Sequence, residues 1–467
     1  MNAPLHVKNA PSPGLVFTCL IGGILSFIFL AGWSALHYSE WGGFYANTRF
    51  LAWVHVAVLG WINLIIFGVL FQFIPVVLNV RLGSEKLAWW QLAFYVPGAA
   101  GMVGCFWIGR LDWPLHTFAS ILWVGFFLFI WNMLLTYRQV KDWTQTAQCI
   151  YAGVLYLLVT TMLGLFLSIH LAYPMVDIPH LTLLKLHAHA GFVGWFLMIV
   201  MGVSLKLLPM FLLSYGYSTK PAAAAFYLIN AGLLSWGLAV AFDLPPAWQL
   251  TGIGMLISGI AFYLAQVVLI FRKRSRMRSD PFRRRSVRPI EFPLRFAAAA
   301  CALLGVATLA GVAVAFSGQL DPGGNHNRFV LIYGALVFLG FLALLVQALL
   351  YKIVPFLIWL KRFSNTAGKY RTPKIVDLVP ARSAVSQLLV YSLGAVLVVI
   401  ALGIEGGSLA GVGTVLIFVS SLWFGGNLLV AWTRAVPLGA LRPGTNCEPP
   451  APVSIPTETS NENTALH

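Results

Sequence analysis

Twelve long apolar runs divide this chain, at about 14–37, 48–80, 88–109, 114–137, 147–172, 180–213, 221–242, 247–271, 295–317, 327–360, 383–404 and 409–432. Each is long enough to cross a hydrocarbon core of about 30 Å as an α-helix. In lipid the backbone must satisfy its own hydrogen bonds, which leaves helices or closed barrels. Barrel strands would show short segments of alternating polarity, and these runs do not. Only 9% of the 467 residues are charged, against roughly a quarter in a soluble domain. The chain is expected to be all-α and polytopic, with about 12 transmembrane helices, the second, sixth and tenth being longest. The first run begins near Gly14 without a small-residue cleavage site, so it reads as a retained helix and not a signal peptide. Residues 1–13 and 433–467 are read as tails, and the second of these, rich in Pro, Thr, Glu and Asn from Arg442 on, is expected to be disordered.

The formal net charge of +16 raises nucleic acid as a partner, and the distribution of charge removes it. With a cytoplasmic N-terminus, only Arg49, Arg110, Lys185 and Arg328 fall on the outer side, and the other 26 of the 30 Lys and Arg fall in tails, inner loops or inner helix ends. The densest runs are Arg272 to Arg288 and Lys361 to Arg382. This is the positive-inside pattern. It predicts a bacterial cytoplasmic (inner) membrane protein with both termini cytoplasmic, whose basic loops meet anionic lipid. The five cysteines are scattered and form no CxxC pair, so neither a thiolate zinc site nor a disulfide framework is indicated.

Orientation places the histidines. His6 and His467 lie in the tails, and the other eight map to the outer half. His37, His116, His170, His180 and His326 sit at loop edges, where an interfacial role suffices. His55, His187 and His189 lie inside apolar helices, where an ionisable residue is costly and marks a functional candidate.

Those three residues belong to a repeat. Helix two reads His55-Val-Ala-Val-Leu-Gly60-Trp61, then Gly68-Val69 and Gln72-Phe-Ile-Pro75. Helix six reads His189-Ala-Gly-Phe-Val-Gly194-Trp195, then Gly202-Val203 and Lys206-Leu-Leu-Pro209. Helix ten reads Ala335-Leu-Val-Phe-Leu-Gly340-Phe341 and later Lys352-Ile-Val-Pro355. Twenty residues separate the first position from the proline in all three, and the helices are four apart, so a four-helix unit is used three times.

In these segments the chain resembles heme–copper oxidase subunit I, especially the cbb3-type and nitric-oxide-reductase-like branches. The resemblance implies three pseudo-threefold-related four-helix arcs, about 14–137, 147–271 and 295–432. It implies heme, of the b type, with copper as a further expectation, and a cytochrome or other redox subunit as partner. The departures are equally specific. The oxidases carry H-x-H on helix ten, where this chain has Tyr333-Gly-Ala335, and they draw copper ligands from helix seven, which has no histidine here. A complete oxygen-reducing centre is therefore not expected.

Residues two apart on a helix point about 200° apart, so the partners of an H-x-H pair face different pores. The oxidases' low-spin heme pairing, rotated by one arc, joins His55 to His187. The same rotation sets His189 against Tyr333, as a second heme site, a copper ligand set or a hydrogen bond, and leaves Trp53 and Ala335 to a third pore that Trp53 fills. Heme propionates need cations at the outer surface, and Arg49, Lys185 and Arg328 precede the histidine positions by a few residues. Electron transfer, or handling of nitric oxide or copper, follows. A second reading is a transporter or assembly factor for copper or heme, with the outer histidines binding passing cargo. Transporters commonly use inverted repeats and broken helices at the midplane, whereas this repeat runs parallel.

Overall fold

The computed structural model describes residues 9–40, 43–274, 290–320, 325–364 and 372–433. The first eight residues, the tail from 434 and most of the basic run Arg272–Arg288 lie outside these, as do Asp321 and residues 365–371.

Twelve helices of membrane-spanning length and apolarity are present among the described residues: α1 (Pro13–Leu36), α2 (Thr48–Leu78), α3 (Glu85–Ile108), α4 (Trp113–Tyr137), α5 (Gln145–His170), α6 (His180–Leu212), α7 (Lys220–Ala241), α8 (Pro246–Arg272), α9 (Phe292–Ser317), α10 (His326–Phe363), α11 (Ala381–Ile404) and α12 (Gly407–Thr433). Every end lies within three residues of the expected spans. The protein is an all-α, multi-pass membrane protein.

Local chemistry sets the ends. The side chains of Asn47, Ser84 and Thr144 accept hydrogen bonds from the amides of Phe50, Leu87 and Ala147, satisfying first-turn donors that have no partner inside the helix. Helices α2 and α6 stop at matched residues, Asn79 and Leu213, both in the left-handed conformation at φ 54° and φ 51°. Helix α10 has no such stop at Trp359 and continues to Phe363.

The helices close into a ring. Helix α1 packs on α2 and α12, α5 on α4 and α6, and α9 on α8 and α10. Three hairpins, α3–α4, α7–α8 and α11–α12, pack most closely, because glycines bring their backbones together. Gly98 faces the Leu122 backbone, Gly232 the Gly252 carbonyl, and Gly394 the Gly413 carbonyl. Helices α2, α6 and α10 are the most deeply buried. The outer surface is apolar, and Trp89, Trp90, Trp113, Trp143 and Trp248 stand exposed near helix ends, as an aromatic belt requires.

Each central helix departs from α geometry at the same place. Val56–Asn63, Ala190–Leu197 and Leu336–Ala343 are π-helical, each beginning directly after the repeat's first position: His55, His189 or Ala335. A π-segment is rare and re-aims the side chains on either side of it.

Candidate functional site

His55 ends the α-helical part of α2, and its Nδ1 lies 2.7 Å from the Leu51 carbonyl one turn back. A carbonyl only accepts, so Nδ1 carries the proton and Nε2 keeps its lone pair. His187 reaches the same state differently, with its Nδ1 2.9 Å from the Thr160 carbonyl of α5. Each ring is thus oriented by a main-chain acceptor, the arrangement that histidine ligands show at metal centres. The His55 ring also stacks on Phe106 of α3, with centroids 5.2 Å apart.

Both histidines line one cavity of about 390 Å³ enclosed by α2 to α6. Its walls are mostly apolar, including Met102, Phe106, Leu122, Phe126 and Leu157. Two glycines keep it open beside the rings. A Cβ on Gly164 would stand 3.0 Å from the His187 ring, and one on Gly191 would stand 3.3 Å from Thr160 Cγ2. The floor is polar, where the Trp195 indole donates to Asn63 Oδ1 at 2.7 Å. Phe44, Ala46, His180 and Leu181 surround the mouth. A far smaller void, about 10 Å³, lies beside Ser204, Tyr263 and Cys301, with room for no more than one water. Among the described residues no three or more His, Cys, Asp or Glu side chains gather to hold a metal ion.

No protein-family model matches the chain, and no curated protein does. Among solved structures, a chain of a heme-copper terminal oxidase dimer determined by cryo-electron microscopy is similar, with a TM-score of 0.65 at 15% identity, over 90% of this chain and 84% of that one. This chain has a heme–copper oxidase subunit I-like fold.

Within that oxidase-like fold the other candidate residues have separate surroundings. His189 Nδ1 lies 2.9 Å from the Lys185 carbonyl, matching His55 and Leu51, and its ring packs on Trp236 of α7 at 4.5 Å. Tyr333 lies instead against Gly311 of α9, so the structure gives His189 and Tyr333 different neighbours. Trp53 donates to Ser34 Oγ at 2.5 Å and faces Phe338 of α10 at 5.8 Å. Of the cations proposed for propionates, Arg49 pairs with Glu40 at 2.7 Å and lies over Trp107, and Arg328 pairs with Glu405. The Lys185 side chain is exposed. At the opposite end of the bundle, Lys352 pairs with Glu291 and lies over the Phe211 ring.

The residues that build the cavity around the two histidines were hidden from spacing arguments, because helix–helix contact brings them there. Asn63 and Trp195 are 132 positions apart. The repeat does explain one neighbour: Trp61, matched to Trp195, faces α10, where Ala343 stands at the position matched to Asn63, and the buried Trp61 indole N–H has no hydrogen-bond partner among the described residues. Asn63→Ala is therefore expected to orphan the Trp195 indole as well, costing about 1–3 kcal/mol. Thermal unfolding in detergent tests this, and an unchanged melting temperature refutes it.

Proposed function

We propose that this protein binds a b-type heme between His55 and His187 and passes single electrons through it. The observation that carries this reading is the pair of imidazoles lining one cavity, each with Nδ1–H on a main-chain carbonyl and the Nε2 lone pair left to bind a metal. The chamber is hundreds of cubic ångströms in volume, apolar, and relieved by Gly164 and Gly191 beside the rings. That shape suits a large planar apolar cofactor better than a bare copper ion, for which further ligands would have to converge. When bound, a heme with two axial imidazoles transfers electrons and keeps no open position for a gas ligand. The chain's own contribution is to orient the rings and to exclude water with aromatic and aliphatic walls.

The charge distribution supports an arrangement in which the histidine end faces away from the cytoplasm of a bacterial inner membrane, with both termini inside. A cytochrome or other redox subunit on that outer face would then exchange electrons with the heme. Of the basic residues, Arg49 directly follows the cavity-lining Thr48 and would exchange Glu40 for a propionate on heme binding, whereas Arg328 is held by Glu405 and the Gly403 carbonyl of α11.

The test is the absorption spectrum of protein purified from heme-replete cells. A Soret band, with the sharp reduced α band of a bis-histidine heme at roughly one heme per chain, is the expected result. Protein that is folded and free of heme would sink the reading.

A further inference from the structure

The His55 site has a support that the candidate ligands do not reveal. Tyr95 on α3 is fully buried, and its hydroxyl donates to the Leu59 carbonyl at 2.9 Å, inside the α2 π-segment. The Asn63 side chain also neighbours that hydroxyl, and Asn63 in turn accepts from Trp195 of α6. A polar connection therefore runs from α6 through α2 to α3, directly beneath the two histidines. Phe106, on the same helix as Tyr95, stacks on the His55 ring.

The third unit repeats half of this. Tyr391 on α11 is buried and donates to the Leu339 carbonyl at 2.9 Å, inside the α10 π-segment. Leu339 matches Leu59, and the run Gln387 to Tyr391 matches Gln91 to Tyr95. Yet Ala335 replaces the histidine, Leu402 the stacking Phe106, and Ala343 the asparagine. In the second unit, Ile229, fully buried and set against Gly259 as Tyr95 is against Gly125, stands at the tyrosine position and has no hydroxyl to donate. The clamp is thus present with a histidine in one unit and without a histidine in another.

We propose that Tyr95 is a positioning residue for the His55 ligand: α6 forms its π-segment without a tyrosine, and the Tyr95 hydroxyl ties the α2 segment to α3 and so steadies the aim of the imidazole into the cavity. One extra residue absorbed into a helix of 3.6 residues per turn shifts the side chains beyond it by about 100°. Relaxation of the segment toward α geometry turns His55 relative to Asn63 and Trp61, and so away from the cavity. The inference rests on the heme reading above. Tyr391 ties its π-segment to α11 for packing alone, because nothing at Ala335 needs aiming.

The experiment compares Tyr95→Phe with Tyr391→Phe, each losing one hydroxyl and keeping the ring. Heme affinity is read by transfer to an apo-globin acceptor, alongside the absorption spectrum and the melting temperature. Tyr95→Phe is expected to lose heme affinity by about 10–100-fold, the usual effect of removing a residue that orients a ligand, and to gain a high-spin fraction. Tyr391→Phe is expected to keep wild-type affinity and spectrum while its melting temperature falls as much as that of Tyr95→Phe. Equal heme affinity in the two variants overturns the proposal. So does failure of Tyr95→Phe to accumulate where Tyr391→Phe does, because the hydroxyl would then hold the fold and not the ligand. A wild-type protein without heme overturns the parent reading first, and the two failures are told apart by that first spectrum.

Discussion

Replacing His187 with alanine is expected to abolish the low-spin heme spectrum while leaving the protein folded. Among the described residues the His187 side chain makes one hydrogen bond, from Nδ1 to the Thr160 carbonyl, and its ring lies beside Gly164. Its loss leaves a carbonyl that is already bonded within α5, so the cost to the fold is small. The cost to the cofactor is large, because one of two axial positions disappears. His55→Ala is expected to behave in the same way, and the double variant is expected to bind no heme. Singly substituted protein that keeps heme should become high-spin and acquire carbon monoxide binding, since a position opens at the metal. His189→Ala is the control: its ring faces Trp236 and does not line the cavity, so the spectrum should not change. An unchanged low-spin spectrum in His187→Ala would refute the pairing, and loss of all heme in His189→Ala would move the site to another chamber.

The second large effect is at the α3–α4 crossing. A Cβ at Gly125 would stand 2.8 Å from both the Tyr95 backbone nitrogen and its Cα, and one at Gly98 would stand 2.4 Å from the Leu122 nitrogen. These are main-chain atoms that cannot rotate away, so the helices must separate. Gly125→Ala is expected to destabilise the protein by about 1–3 kcal/mol, the range for overpacking a filled core, and Gly125→Val by more. Because the displaced backbone is that of Tyr95, heme affinity should fall together with stability. Gly104, on the same helix α3, has nothing within 4 Å of its would-be Cβ. Gly104→Ala should be neutral or stabilising by up to about 1 kcal/mol, the helix-propensity difference. Melting temperatures in detergent, with heme affinity measured on the same samples, decide the matter. Equal tolerance of alanine at positions 125 and 104 would show that the crossing is looser than the structure has it.

The membrane fold was legible in the sequence because lipid imposes a one-dimensional rule: a spanning segment must be long, apolar and internally hydrogen-bonded. The twelve spans could therefore be read from composition along the chain, with errors of a few residues at caps. The three candidate histidines were legible for the same reason, since an ionisable residue in an apolar run stands out. The repeat register was legible as well, and the π-segments now found at Val56–Asn63, Ala190–Leu197 and Leu336–Ala343 fall at its matched positions. Nothing in composition announces a π-turn, because its i→i+5 bonds depend on what packs against the helix. One sequence signal was available: Gln-x-x-x-Tyr recurs at Gln91–Tyr95 and Gln387–Tyr391.

By itself, then, the sequence determined the class of protein, the number of crossings and which histidines are out of place in lipid. The tertiary structure alone decided which of them share a chamber. Position within a helix says how deep a side chain lies, whereas the neighbour it meets depends on how helices 100 or more residues apart pack. That packing set His55 and His187 on one cavity beside Gly164, Asn63 and Trp195, and turned His189 to Trp236. The physical reason is that burial in lipid is a property of each segment, while a binding site is a property of the gaps left where segments meet.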